Sequence, residues 1–363
     1  MGATPFNYVP PSTPTVKGRG AAHNPANRFE KIHLEHDPET EQADEDARPS
    51  RTEFYHDATQ TFITRNNSPD VGFETSINPY RGCEHGCIYC FARPTHEYLG
   101  FSAGLDFESK IMVKLDGPEL LRKELTSLKW KPQTIVMSGV TDCYQPIERK
   151  LELTRRCLAV LAEFRNPVAI ITKNHLVSRD IDLLAELAKH DAVIVNVSIT
   201  TLDASLTPKL EPRASLPQFR LDAVRQLSRA GVPVNVMVAP VIPCITDHEM
   251  PKILEAAAEA GAVSAAFVPV RLPWAVAGLF ENWIERHFPD RKEKVLNRIR
   301  ELRGGKLNDP NFGSRMRGQG IFAEQMEKMF EVGCRKAGLP KREVELSTAS
   351  FRRPAGPQLA LFD

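Results

Sequence analysis

The sequence predicts an α/β fold built on a parallel sheet, and three observations carry that prediction. Short β-branched runs alternate with amphipathic stretches through the middle of the chain, two of the amphipathic stretches stop at a glycine, and a new strand-like run follows each stop. β-Branched side chains suit the pleated, half-buried surface of a strand, whereas apolar residues at three and four spacing mark one face of a helix. Strands that alternate with helices join through right-handed crossovers into a parallel sheet.

In chain order, the first strand falls around Glu74 to Asn78, directly before a cluster of cysteines. The next runs Thr134 to Met137 and is followed by a helical pattern over Glu148 to Phe164. Strand-like Val168 to Thr172 precedes helical Asp180 to His190, and Val193 to Thr200 precedes Gln218 to Ala230. Val234 to Ala239 leads to His248 to Ala260, and Val263 to Val268 closes the series. Gly231 and Gly261 end two of the helices as a C-terminal glycine does. Six such units fit either a doubly wound sheet or an incomplete barrel, and in both the ligand lies at the carboxyl ends of the strands.

The whole chain has 363 residues, 42% of them hydrophobic, with a net charge of +1, a composition that gives a globular protein ample material for a core. It contains no run of 18 apolar residues, and its start lacks the basic and apolar regions of a secretion signal, which predicts a cytoplasmic protein without a membrane span. Gly2 is not read as a lipid anchor, since Phe6 stands where the acceptor pattern wants Ser or Thr. Glu35 to Asp46 carries seven acids and no Lys or Arg, and prolines punctuate the surrounding stretch, so residues 1–52 read as a disordered tail. The barrel-like unit takes residues 53–285, a basic helical extension residues 286–345, and a flexible tail residues 346–363. From Arg286 to Arg317, Lys and Arg outnumber Asp and Glu by ten to four, which reads either as a solvated helix face or as a surface facing phosphates.

The chemistry lies in the cysteines. Three of the seven, Cys83, Cys87 and Cys90, are spaced as Cys-x3-Cys-x2-Cys, and an odd, clustered set argues for metal binding over a disulfide framework. Three thiolates suit a 4Fe-4S cluster with one iron left open, since the next cysteine, Cys143, comes only fifty-three residues after Cys90. The alternative is a structural zinc with His85 as fourth ligand, in a non-enzymatic nucleic-acid or clamp-binding module, although zinc sites usually use two short-spaced ligand pairs. The chain has no Walker loop, no dinucleotide fingerprint, no His-Glu-x-x-His and no nucleophile elbow.

The motif Cys-x3-Cys-x-aromatic-Cys, met by Cys83, Cys87, Tyr89 and Cys90, resembles the signature of the radical SAM superfamily. The wider wording, SPDVGFETSINPYRGCEHGCIYC with SGVTDCYQPIE, ITKN and LEPR, is similar to its spore photoproduct lyase-related, DNA repair photolyase-like branch. The resemblance implies a partial TIM barrel of six βα units. It also implies S-adenosylmethionine on the open iron, cleaved after one-electron reduction to a 5′-deoxyadenosyl radical, an electron donor such as flavodoxin or ferredoxin, and a nucleic-acid substrate. By the same resemblance, Ser138, Gly139, Thr141 and Asp142 occupy the segment that takes the cofactor's amino group, with Asp142 the carboxylate able to pair it. Lys173, Ser198 and Arg213 correspond to positions that contact its sugar or carboxylate, and Val238 to Pro240 to backbone that meets the adenine. The competing assignments are a strand-end cap for Lys173 and a surface pair of Glu211 with Arg213.

Cys143 and Cys244 fall at predicted strand ends, where a thiol reads either as a hydrogen donor to a substrate radical or, as most cysteines so placed do, as a small buried hydrophobe; Cys157 and Cys334 fall within helical patterns and read as packing. Trp274 and Trp283 read as core or barrel-edge residues. Finally, Gln358, Leu359, Leu361 and Phe362 resemble the peptide that docks on the bacterial DNA sliding clamp, departing from it at Ala360.

Overall fold

The computed structural model describes residues 16–30, 51–339 and 344–354. Its strands, in chain order, are β1 (Glu53–His56), β2 (Thr64–Arg65), β3 (Thr75–Ile77), β4 (Tyr80–Arg81), β5 (Lys110–Val113), β6 (Ile135–Met137), β7 (Val168–Thr172), β8 (Val193–Ser198), β9 (Val234–Val241) and β10 (Ser264–Pro269). The main sheet has the order β10-β9-β8-β7-β6-β3-β2. Its neighbours from β3 to β10 are all parallel, and only β2 runs antiparallel, against β3. Six parallel strands in sequence order, without a reversal of winding direction, make the incomplete barrel and not the doubly wound sheet.

Register is set by apolar rows that cross the sheet. Ile77 pairs with Met137, Met137 with Ile170, Ile170 with Val195 and Val195 with Val234, and all five side chains are fully buried. A slip of one residue would turn every member of that row to the opposite face. The helices Leu153–Phe164, Ile181–Ala188, Pro217–Arg229 and Met250–Glu259 close the outer layer through Leu158, Leu161, Leu184, Leu187, Val224, Leu227, Ile253 and Ala257. The single helical pattern expected over Glu148 to Phe164 is two helices, Glu148–Leu151 and Leu153–Phe164, parted at Glu152 with φ of 48°. The break lets the buried Glu148 carboxylate accept the Thr154 N–H, placing a negative charge at the start of the longer helix.

β4 and β5, which lie between β3 and β6 in the chain, join the earlier β1 in a second, three-stranded sheet of order β1-β5-β4, which the sequence pattern did not indicate. All four β1 residues are exposed, so this strand has no apolar alternation to read. The cysteine segment opens a helix, the 3-10 helix Arg93–Leu99.

Two assignments to disordered or flexible tails are corrected. Residues 16–30, within the tail expected at 1–52, pack on the cysteine segment: Ala21 is buried, and the Asn27 amide donates to the carbonyls of Glu97 and Phe101 at 2.9 and 3.1 Å. At the other end, Arg352 donates its N–H to the Phe164 carbonyl at 2.9 Å, and Phe351 lies 6.3 Å from the Phe164 ring, so residues up to 354 follow a barrel helix. The clamp-like peptide Gln358 to Phe362 lies outside the described residues.

The extension is helical as expected, with Lys292–Leu302, Ser314–Arg317 and Gly320–Ala337 following the helix Ala275–His287. Gly333 lets the helix Gly320–Ala337 lie close against Met250–Glu259, since a Cβ there would meet Leu254 at 2.7 Å. Arg303 ties the extension to the barrel. Buried, it donates to the carbonyls of Pro269 and Val270 at the end of β10, and to those of Ser314 and Arg315. Arg303→Met leaves those carbonyls without their donor and is expected to lower unfolding stability by roughly 2–4 kcal/mol in chemical denaturation, with Arg303→Lys falling between it and wild type.

Candidate functional site

Cys83, Cys87 and Cys90 sit on an irregular loop between β4 and the 3-10 helix Arg93–Leu99. Gly82 and Gly86 turn it, with φ of 78° and 67°. Loop carbonyls that face inward need donors, and Arg93 supplies them. Its guanidinium donates to Cys87 O at 2.9 Å, Gly86 O at 3.1 Å, Ala103 O at 3.2 Å and Gly104 O at 3.0 Å, and pairs with Glu108 at 2.5 Å. Neither Arg93 nor Glu108 is exposed to solvent. The Glu108 carboxylate also accepts the N–H groups of Gly20 and Ala21 at 2.9 and 2.8 Å, which fastens the N-terminal segment over the loop. Contact there is close enough that a Cβ on Gly20 would lie 1.8 Å from the Gly86 carbonyl oxygen.

Cys83 and Cys87 are buried and Cys90 is half-buried. Burial pushes the Cys87 thiol well up, with Glu211 adding to it, and burial followed by Cys83 pushes Cys90 up to about 11; the Lys173 ammonium pulls both back. Cys90 packs both against the apolar cluster that holds Cys83 and against the core that holds Cys87. Three closely spaced thiols suit an iron-sulfur cluster, in which each thiolate takes a different iron, better than one zinc ion, which usually takes two short-spaced ligand pairs. His85, the alternative zinc ligand, faces Asp142 through Nδ1 at 3.3 Å and the Asn174 amide through Nε2 at 3.2 Å. Burial opposes a charged ring here, but Asp142 and then Cys83 outweigh it and raise its pKa to about 10. The Asn174 oxygen already accepts from Leu176 and Ser215, so it is the amide nitrogen that faces Nε2.

The opposite wall of the site is organised by Glu211, which sequence reasoning considered only as a surface partner of Arg213. It is buried, and its partners are the buried Arg220 guanidinium, the Tyr89 hydroxyl, the Thr200 hydroxyl at 2.7 Å and the Lys173 ammonium at 3.9 Å. Burial alone would raise its pKa from 4.5, but Arg220 and Lys173 outweigh burial and hold it at about 2. The aromatic of the cysteine motif is thus anchored by its hydroxyl to an ion pair beyond β8. The Ile88 N–H adds a backbone link to the Leu210 carbonyl at 3.0 Å.

The structure brings most of the sequence-predicted residues to this place and changes the reading of several. Asp142 is there, yet its carboxylate already takes the Tyr144 N–H, the Lys173 N–H, the Thr172 hydroxyl and His85, which exhausts its acceptor positions. Its pKa is held low by His85 and the two N–H groups, against burial. Arg213 reaches the cysteine loop through its N–H to His85 O at 3.2 Å, and its side chain pairs at 2.9 Å with Glu84, not Glu211. Lys173 points its ammonium to the Ala239 carbonyl at 3.0 Å, inside the Val238 to Pro240 stretch, and so does more than cap a strand. Ser198 is buried at the end of β8, where its carbonyl takes the Arg220 guanidinium at 2.9 Å. Ser138, with φ of 74°, accepts the Cys143 N–H at 2.8 Å; Gly139 follows it, and the Thr141 hydroxyl donates to Tyr80 O at 2.7 Å.

Cys143 takes the packing alternative. It is fully buried in the main core, with its carbonyl bound by the Thr154 hydroxyl, the packing position of a small hydrophobe and not the accessible position a hydrogen donor needs. Cys244, beyond β9, is half-buried beside the second core and retains solvent access.

The Glu211 ion pair sets a measurable acid limit. Because its folded pKa lies below 4.5, its contribution is complete above that value and is lost as pH falls toward about 2. Glu211→Gln leaves Arg220 buried without its counter-charge, so stability at pH 7 should fall by about 3–5 kcal/mol. A series of thermal melts from neutral pH downward should also show a shallower acid limb in the variant than in wild type.

Known proteins match this architecture. The profile of the Radical SAM superfamily matches residues 77–257. An uncharacterized protein of Mycobacterium tuberculosis is 36% identical over 283 residues, covering 77% of this chain and 82% of that relative. A radical SAM Nalpha-GlyT isomerase of Pseudomonas phage M6 is 26% identical over 231 residues, covering 62% of this chain and 46% of the phage protein. Among solved structures, a spore photoproduct lyase variant with bound AdoMet and dinucleoside spore photoproduct superposes with a TM-score of 0.57 at 17% identity, covering 78% of each chain. The profile opens at the last residue of β3 and closes within helix Met250–Glu259, spanning the cysteine loop and the strand ends around it, and the chain belongs to the radical SAM superfamily.

Proposed function

We propose that this enzyme cleaves S-adenosylmethionine reductively and directs the resulting chemistry onto a nucleic-acid strand. Cys83, Cys87 and Cys90 would hold a 4Fe-4S cluster, which when bound supplies the electron that splits the cofactor to a 5′-deoxyadenosyl radical. The protein's own part is placement. Lys173 keeps a positive charge beside Cys87 and Cys90, easing their ionisation when a metal takes them. Arg213, a third exposed, offers the guanidinium for the cofactor's carboxylate, sharing it with Glu84. Asp142, saturated by its neighbours, fixes His85 and the turn after β7 instead of pairing an incoming ammonium.

For the nucleic-acid target, the supporting observation is a set of cations that folding leaves free. Within the basic stretch, Arg303 is a buried brace, Arg315 is paired with Asp70, and Lys292, Arg298 and Arg300 face Glu285, Glu301 and Glu281. Arg291, Lys294, Lys306 and Arg317 remain exposed and make no ion pair with the described residues. The spore photoproduct lyase variant of similar fold carries a dinucleoside, a ligand of the same class.

Phosphate contacts release counterions, so binding of a single-stranded oligonucleotide should weaken steeply with salt, by a slope of roughly 0.7 per cation engaged. Replacing all four free cations by Gln should flatten that slope by about 3 and reduce oligonucleotide-stimulated formation of 5′-deoxyadenosine in the anaerobic, reduced enzyme. Salt-independent binding, or an unchanged slope in the fourfold variant, overturns the assignment.

A further inference from the structure

We propose that Phe29, Tyr98 and Trp274, gathered around Arg28 at the rim of the barrel, form a platform on which a base of the substrate strand stacks. The proposal rests on the nucleic-acid reading above and names the surface that meets the base, as distinct from the phosphates.

The three rings are 53%, 72% and 63% exposed, unusual for large aromatics that share one neighbourhood. Phe29 and Tyr98 lie 5.0 Å apart between centroids, and the Arg28 guanidinium carbon stands 4.8, 5.7 and 4.1 Å from the rings of Phe29, Tyr98 and Trp274. Arg28 is itself fixed by the buried Glu97 carboxylate at 2.6 Å, so the group is a rigid composite and not a set of wandering side chains. Trp274 holds its outward position from a left-handed backbone with φ of 47°, a conformation that a bulky residue seldom adopts. The other two tryptophans, Trp130 and Trp283, are buried, so of the core and barrel-edge readings Trp283 takes the first and Trp274 the second.

Position ties the platform to the site. Tyr98 lies in the last turn of the 3-10 helix that follows Cys90, and Trp274 follows Val270 and Leu272, which pack in one core with Cys87, Ile88 and Tyr89. The loop that carries Trp274 leaves the carboxyl end of β10, the end at which ligands meet such barrels. A second pair borders the same loop: Arg271 lies 5.6 Å from the ring of Phe91, the half-exposed residue next to Cys90. Rings backed by guanidinium groups suit a ligand with flat π-faces strung on a negative backbone, which is the chemistry of unpaired bases.

Because Trp274 is the exposed tryptophan, its fluorescence reports the platform directly. The full-length protein is titrated with a single-stranded oligonucleotide and with an abasic strand of equal length, following tryptophan fluorescence and the anisotropy of an end label. The oligonucleotide should quench Trp274, whereas the abasic strand should bind in a salt-dependent way without quenching. Trp274→Ala and Tyr98→Ala should weaken oligonucleotide binding by roughly 5- to 100-fold while leaving the abasic strand and the melting temperature unchanged, and Trp274→Phe should restore it. Tyr98→Ala retains the reporter, and its position, the most exposed of the three, makes loss of folding a poor explanation for any effect. Binding of the oligonucleotide without quenching, or equal weakening of both strands, overturns the platform and leaves the phosphate surface standing. Failure of both strands to bind overturns the nucleic-acid reading and the platform together.

Discussion

The cysteine loop depends on two buried ion pairs, one on each side. It has no strand ladder or α-helix to satisfy its backbone, so its shape has to come from side chains that are themselves held in place. Arg93 meets that need with all five of its N–H groups, four on carbonyls of the loop and its return and one on Glu108. On the far side, the Glu211–Arg220 pair holds the Tyr89 hydroxyl and, through Arg220, the carbonyls of Ser198 and Ser215. Buried charges of this kind are costly to desolvate and contribute little net stability over an apolar pair. Their use here is positional, since three thiols that must face one volume cannot be left to a flexible turn.

The same two pairs explain why the site is assembled from distant parts of the chain. Glu108 recruits residues 20 and 21 to one face, and Glu211 brings Lys173 and Thr200 to the other. Asp142 completes the ring by fixing His85 in the middle of the cysteine motif. Each is a carboxylate buried among donors, and each joins the loop to a different element. The barrel supplies the frame, and these three anions decide what stands at its mouth.

How far the sequence could be read follows from where periodicity exists. The six barrel strands lie within one or two residues of their expected positions because their apolar residues alternate or run unbroken, and the cysteine spacing is local and therefore visible. Lys173 follows β7, at a strand end that the pattern locates, whereas Arg213 lies in the loop between two helices beyond β8. What escaped was held by side chains and not by pattern. Residues 16–30 have no apolar period and are fixed through Glu108 and Glu97, and β1 is exposed throughout. Glu211 was missed because its partner, Arg220, lies a turn into the next helix, on a face that looks like ordinary charged surface. For Cys143 the sequence left two readings, because a position at a strand end does not say which way the side chain points; this one points into the core.

The central claim is that the three thiols of this loop share one cluster and leave part of it open to S-adenosylmethionine. Electron paramagnetic resonance of the anaerobically reconstituted and reduced protein tests it most directly, recorded with and without S-adenosylmethionine. The account predicts a reduced 4Fe-4S signal that changes shape when S-adenosylmethionine is added and that is absent when Cys83, Cys87 or Cys90 is replaced by Ala. A signal that persists without those cysteines, or that S-adenosylmethionine leaves untouched, would contradict it.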